Sequence, residues 1–183
     1  MNKTLLHTSK FISLVLRHKP EEIGLQLDEH GWADVEELIE KINRKGGKLD
    51  REKLNEIVAT NEKKRFAFND NKTKIRASQG HSIEVDVQLE AVAPPEFLYH
   101  GTAEQNVDSI LAQGLLKGNR LHIHLSDNYQ TAIQVGQRHG APVILLVNAK
   151  AMSEAGIPFY LSVNGVWLVE NHIAPQYLTK HEG

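Results

Sequence analysis

Apolar side chains at Leu5, Leu6, Phe11, Ile12, Leu14, Val15 and Leu16 recur at helical spacing and predict a helix over residues 9–17 with one strongly apolar face. Pro20 disfavours helical geometry at Lys19, so the run ends with Arg17 and His18 in its last turn. Residues 23–28 alternate apolar and polar and predict a short strand, with Asp28-Glu29-His30-Gly31-Trp32 as its turn. Helical spacing returns at Val35, Leu38, Ile39 and Ile42 and runs through Arg44, until Gly46-Gly47 stops it. Asp50 is placed to cap a third helix that buries Leu54, Ile57 and Val58. Residues 64–68 and 73–76, around the turn Asn69-Asp70-Asn71, predict a β-hairpin.

Three helices followed by a hairpin is a winged-helix arrangement. After it, Ile83, Val85, Val87 and Leu89 alternate with polar residues and predict a half-buried strand. Ala91-Val92-Ala93-Pro94-Pro95-Glu96 then reads as a stiff linker, giving expected lobes at residues 1–92 and 93–183. The second lobe opens with a strand through Phe97-Leu98-Tyr99-His100-Gly101-Thr102 and a helix carrying Val107, Ile110 and Leu111, closed by Gly114. Leu121-His122-Ile123-His124-Leu125-Ser126 alternates, which puts His122 and His124 on one face. A helix over residues 128–139 carries Arg138, residues 142–147 form a buried strand, and residues 159–162 and 163–169 form two more. The expected class is α+β.

Composition sharpens the division. Residues 1–93 hold 16 Lys and Arg against 16 Asp and Glu, while residues 94–183 hold 5 against 7. In that charge-poor half arginine occurs only at Arg120 and Arg138, which raises the question of what they bind; solvated surface arginine is the plain alternative. The absence of cysteine excludes disulfides and thiolate chemistry and points to a reducing, cytoplasmic setting. Neither a signal-peptide pattern nor an apolar run of bilayer length occurs, so no membrane partner is expected.

Candidate chemistry concentrates in residues 74–83, where Arg76 offers a planar fork suited to phosphate and Gly80 permits a close backbone approach or a left-handed turn. A plain hairpin strand entering a surface turn is the simpler account. Arg17 and His18 either complement the dipole of their helix or aim two donors at an anion. Basic residues gather on the wing at Lys63, Lys64, Arg65, Lys72, Lys74 and Arg76, which favours backbone contacts over base reading. The expected nucleic-acid contacts are Lys64, Arg65, Lys74, His81 and Ser82. His122 and His124 have metal-compatible spacing, but the usual further ligands are missing nearby, so no metal is expected. Neither Gly-x-Gly-x-x-Gly nor a P-loop is present, so any nucleotide is held otherwise.

Leu16-Arg17-His18, Gly31-Trp32, Ile75-Arg76-Ala77 with Gln79-Gly80-His81-Ser82, Tyr99-His100-Gly101-Thr102, His122-Ile123-His124-Leu125-Ser126, Val135-Gly136 with Arg138, and Asn164-Gly165-Val166-Trp167-Leu168 occur in order along the chain. Together they resemble the NAD-dependent RNA 2′-phosphotransferase family, also called KptA. The resemblance implies a winged-helix lobe followed by an ADP-ribosyltransferase-like split-sheet lobe. It further implies transfer of an internal RNA 2′-phosphate to NAD+, consumed as co-substrate, through an ADP-ribosylated 2′-phosphate. The products are 2′-OH RNA, nicotinamide and ADP-ribose 1″,2″-cyclic phosphate.

By the same resemblance the catalytic set is Arg17, His18, Arg76 and Arg138, with Arg120 the alternative for the fourth place. His100, Gly101, Thr102, His124, Ser126 and Arg120 fall where NAD+ is held. The glutamate that many protein-modifying ADP-ribosyltransferases carry on a late strand corresponds to Val166. A 2′-phosphate is already mostly dianionic at neutral pH, so it needs cations rather than a base. Two other classes remain open: a ligand-sensing winged-helix regulator, and an ADP-ribosyltransferase acting on nucleic-acid phosphate ends. A monomer is expected.

Overall fold

A computed structural model describes residues 3–181, and the chain divides between Gln88 and Leu89 into two compact units. The sequence expectation places that boundary after Val92. The Val92 N–H donates to the Phe159 carbonyl, and Ala91 bridges to Tyr160, so the linker's first residues are tied into the second unit.

In the first unit, α1 (Lys3–Arg17) is followed by β1 (Ala33–Asp34), α2 (Val35–Arg44), α3 (Arg51–Thr60), β2 (Phe66–Phe68) and β3 (Lys74–Ala77). Asp34 and Asp50 cap α2 and α3 by accepting the backbone N–H of Glu37 and Lys53, at 2.9 and 2.8 Å. Each such cap contributes roughly 1 kcal/mol to its helix. The strands form an antiparallel sheet in the order β1-β3-β2, with Ile75 opposite both Ala33 and Phe68. Ile12, Val15 and Leu16 from α1, Leu38 from α2, Leu54 and Ile57 from α3 and Ile75 from β3 are fully buried in one core. Burying each such side chain is worth about 1.5–3 kcal/mol, which makes this core the reason the helix ends and the hairpin stay in register.

Two expected strands here are absent. Residues 23–28 begin in a single 3-10 turn, Pro20–Ile23, closed by a left-handed Gly24 at φ 64°; Leu25 then packs inward without a ladder partner. Residues 83–90 likewise lack a ladder, and Gln88 adopts φ 57°. Their alternation records packing alone: Val87 is buried while its neighbours face outward. Periodicity reports burial, and a strand additionally needs an adjacent edge.

The second unit contains β4 (Phe97–Ala103), α4 (Val107–Gln113), β5 (Ile123–Leu125), α5 (Tyr129–Gly136), β6 (Pro142–Asn148), α6 (Ala149–Glu154), β7 (Tyr160–Leu161), β8 (Trp167–Val169) and β9 (Leu178–Lys180). Two antiparallel three-stranded sheets result, β4-β6-β9 and β5-β8-β7, joined by a backbone bridge between Tyr99 and Ser126. Leu98, Val147, Met152, Phe159, Trp167 and Ile173 fill the core of this unit. The long helix expected to reach residue 139 ends at Gly136 and tightens into a 3-10 turn over Gln137–His139. Residues 163–166 are a turn rather than strand, with Gly165 at φ 77° and its N–H bonded to the Ser162 carbonyl. Strands β1 and β9 and helix α6 are short elements that the pattern did not announce.

Candidate functional site

The first unit builds its cationic set at the end of α1. Arg17 is the last helical residue and His18 follows it, both half-buried. Ser82 holds this end from both sides: its N–H donates to the Arg17 carbonyl at 2.9 Å, and its hydroxyl lies 2.9 Å from His18 Nδ1. The hydroxyl can accept from Nδ1–H or donate to a bare Nδ1, so the bond fixes the ring in either tautomer. The neighbouring His81 is 2% exposed, with Nε2 3.5 Å from the position a Cβ would occupy at Gly31, whose φ is 76°.

Gly31 belongs to a turn organised by Asp28, which accepts the N–H of His30 and Trp32 on Oδ1 at 3.1 and 2.9 Å. That turn presents the Trp32 ring to Arg76, whose guanidinium carbon sits 4.4 Å from the ring centroid. Such stacking is worth about 0.5–2 kcal/mol, more as water is excluded. Burial pulls the Arg76 pKa down, while the Asp28 and Asp86 carboxylates oppose that; the guanidinium stays charged throughout the range in which proteins fold. Arg17, His18, Ser82, His81 and Arg76 thus belong to one continuous structure of turn, helix end and strand, with α1 packed on β3.

In the second unit, β4 and β5 carry the corresponding set. The His100 ring donates from Nδ1 to the His124 carbonyl at 3.1 Å, which places its proton on Nδ1. Burial pushes the His100 pKa below its ordinary value, the His124 carbonyl raises it, and the Arg120 charge adds to the lowering. Arg120 Nη1 donates to His124 Nδ1 at 2.8 Å, so His124 carries its own proton on Nε2. The Arg120 pKa is itself lowered, first by burial and then by the charge of Arg138. Arg120 and Arg138 are both exposed, and neither is ion-paired with a carboxylate among the described residues.

Other expected site residues have local duties that the structure makes plain. The backbone of α5 fills the space beside Gly101: a Cβ there would lie 1.8 Å from the Ala132 carbonyl oxygen. Ser126 spends its hydroxyl at the entry to α5, accepting from the Asn128 N–H and donating to the Asn128 carbonyl, both at 3.0 Å. Thr102 is buried, with Asn106 Nδ2 3.4 Å from its hydroxyl. His122 leaves the Arg120 set and packs its ring edge-on to Tyr160. On the wing, Lys74 pairs with Asp28 at 3.0 Å, Lys64 is exposed in a turn at φ 41°, and Arg65 is half-buried.

Two features had no site role in the sequence reading. Trp32 is the platform for Arg76, and an aromatic residue after a glycine in an Asx-type turn is the signal that could have raised it. Tyr99, Tyr129 and His181 form an edge-to-face trio, with centroids 5.2–5.8 Å apart, that no spacing rule brings together.

A family model described as "RNA 2′-phosphotransferase, Tpt1 / KptA family" matches residues 3–171. Among curated proteins, one from Flavobacterium johnsoniae named "Probable RNA 2′-phosphotransferase" is 54% identical over 179 residues, covering 97% of this chain and 98% of the relative. A protein of the same printed name from Escherichia coli is 49% identical over 178 residues, covering 97% and 96%.

Proposed function

The chain belongs to the RNA 2′-phosphotransferase, Tpt1 / KptA family, and from that membership we propose that it removes an internal 2′-phosphate from RNA with NAD+ as co-substrate. The observation that carries the NAD+ part is the set joined on β4 and β5, Arg120 bonded to His124 and His124 to His100, with no carboxylate partner for Arg120 among the described residues. Exposed arginines without a carboxylate partner are available to an anion, and a dinucleotide supplies a diphosphate. His100 and His124, neutral and fixed in tautomer by the bonds described, contribute directional contacts beside that diphosphate. We read the first unit as a winged-helix lobe and the second, with its two three-stranded sheets, as an ADP-ribosyltransferase-like lobe.

The 2′-phosphate attacks the anomeric carbon as nicotinamide departs; the ribose 2″-OH then attacks phosphorus and the RNA 2′-oxygen leaves with a proton. Arg17 and Arg76 would clamp the phosphate oxygens, and Arg76 is pre-positioned for this by the Trp32 face. His18, oriented by Ser82, is the group assigned to protonate the departing 2′-oxygen. A clamp restrains the nucleophile in the first step but stabilises the charge on phosphorus oxygens in the second. Arg76 and His18 therefore act chiefly in the second step.

The test uses an oligoribonucleotide carrying one internal 2′-phosphate, with and without NAD+. The expected result is 2′-OH RNA, one nicotinamide released per phosphate removed, and no reaction without NAD+. Phosphate release that ignores NAD+ would overturn the co-substrate assignment; ADP-ribosylated RNA as the stable end product would instead make the protein an end-modifying ADP-ribosyltransferase.

A further inference from the structure

The first unit contains an open cavity of about 320 Å³ that runs along α1 and includes His18. Its size lies at the small end of the ~300–1,000 Å³ typical of ligand clefts, which suits one nucleotide better than a folded partner. The lining joins two cations, Lys10 and Arg65, to two hydroxyls, Ser9 and Ser13, and the remaining residues besides His18 are leucines. Among the described residues no carboxylate lines it, although residues 1–93 contain 16 of them. Lys10 lies on α1 eight residues before His18, which follows the last helical residue, so about 12 Å along the helix axis separates them.

We infer that this cavity holds the sugar-phosphate backbone of a nucleotide adjoining the 2′-phosphorylated one. This inference rests on the functional reading above and deepens it. Lys10 contacts a neighbouring phosphodiester rather than the 2′-phosphate, because the length of helix between it and His18 exceeds the reach of one phosphate group. Arg65 approaches from the start of the wing, and Ser13 hydrogen-bonds a phosphate or ribose oxygen. Cations and hydroxyls without acids select for a polyanion, and their placement on backbone atoms leaves base identity unread. Of the wing cations, Arg65 lines this cavity and Lys74 does not.

The test compares wild type with Lys10→Glu, Lys10→Gln and Ser13→Ala, with thermal melts to establish that each variant is folded. Binding of a single-stranded hexaribonucleotide is measured without NAD+ over about 0.05–0.3 M salt, where each phosphate contact contributes about 0.7 to the slope of log K against log salt. The slope for Lys10→Gln is expected to be shallower by about that amount, and Lys10→Glu is expected to bind about tenfold more weakly. In turnover, the ratio of kcat/KM for a 2′-phosphorylated hexamer to that for a 2′-phosphorylated dinucleotide is expected to fall by a similar factor. An unchanged salt slope together with an unchanged ratio in Lys10→Glu would overturn the inference. The binding arm needs no chemistry. Wild-type protein that binds RNA through Lys10 but never consumes NAD+ would therefore sink the proposed reaction while leaving the cavity assignment standing.

Discussion

The two units hold their arginines by opposite means. Arg76 lies on the face of Trp32 and within the field of Asp28 and Asp86, so its charge is partly compensated before any substrate arrives, although it forms no direct ion pair among the described residues. Arg120 is bonded to the neutral ring of His124 and feels the like charge of Arg138, and among the described residues no carboxylate compensates it. A compensated cation is a rigid fixture whose value lies in geometry. An uncompensated, exposed pair is screened by water and stays available to an anion. The scaffolds differ too: the first set hangs on a turn and a helix end pinned by Ser82, and the second on paired strands with α5 pressed against one of them.

That difference in scaffolding predicts the largest effect. In Gly101→Ala the new Cβ would meet the Ala132 carbonyl oxygen and the Gly136 nitrogen, both main-chain atoms that no rotamer change can move. The cost should exceed the ~1–3 kcal/mol usual for overpacking and unfold the second unit at ambient temperature. Gly31→Ala should be milder: its Cβ would meet only ordinary contacts with His81 and Val85, leaving a left-handed-backbone penalty of about 1–2 kcal/mol. Urea melts of the two variants check the ranking, and equal destabilisation would show that α5 yields where its backbone now touches β4.

Next comes the compensated arginine. Arg76→Ala is expected to lower turnover about a hundredfold, some 3 kcal/mol, and to accumulate RNA bearing ADP-ribose on its 2′-phosphate. Arg76→Lys should recover little, since an ammonium group reproduces neither the planar fork nor the stacking on Trp32. Trp32→Ala should cost less, about fivefold, by loosening the platform alone. Gel-resolved RNA over time with excess NAD+ separates these cases. If Arg76→Ala slows nicotinamide release as severely as overall turnover and no intermediate builds up, Arg76 serves binding or the first step.

The legible parts of the molecule were those fixed by local chemistry. Asp34 and Asp50 announce helix starts through their own side chains, Asn69-Asp70-Asn71 announces the hairpin, and the apolar stripe of α1 marks its buried face. Residues 23–28 and 83–90 misled because alternation records which side chains are inward, and nothing in the local pattern says whether another strand lies alongside. Short strands such as β1 and β9 exist only through their partners β3 and β6. At the candidate site, residue types raised Arg17, His18, Arg76, Arg120 and Arg138 as candidates. Their holders, Ser82 for His18 and Trp32 for Arg76, are 64 and 44 positions distant in sequence, and no spacing rule reaches that far.

The uncompensated pair predicts a split between stability and binding. Arg138→Ala removes a charge that opposes Arg120, so thermal stability without ligand should hold or rise slightly, by no more than ~0.5 kcal/mol for so exposed a residue. The same variant should raise the Kd for NAD+ about tenfold. Arg76→Ala offers the contrast, because removing a compensated cation leaves Asp28 and Asp86 without its charge and should lower stability. Calorimetric titration and melts on the two variants read both quantities. A loss of stability in Arg138→Ala equal to that in Arg76→Ala would erase the distinction between the sites.

The smallest effect is a pH dependence at His100. Burial and the Arg120 charge hold its pKa below the ordinary value of about 6.5, with the His124 carbonyl opposing them only in part. Between the folded and unfolded pKa values the unfolded chain binds more protons, so stability rises with pH across that window. The contribution is complete above about pH 6.5 and is lost as pH falls toward the folded pKa. His122 is lowered as well, chiefly by burial, so a melt of wild type alone would mix the two. His100→Asn separates them, because an amide placed at the Nδ1 position can still donate to the His124 carbonyl but does not titrate. The difference between the wild-type and His100→Asn stability curves should be flat above about pH 6.5 and should fall below it, wild type losing more. A difference curve that is flat down to about pH 5 would mean that His100 takes up its proton equally well in both states, and that the crowding around its ring does not exclude the charge.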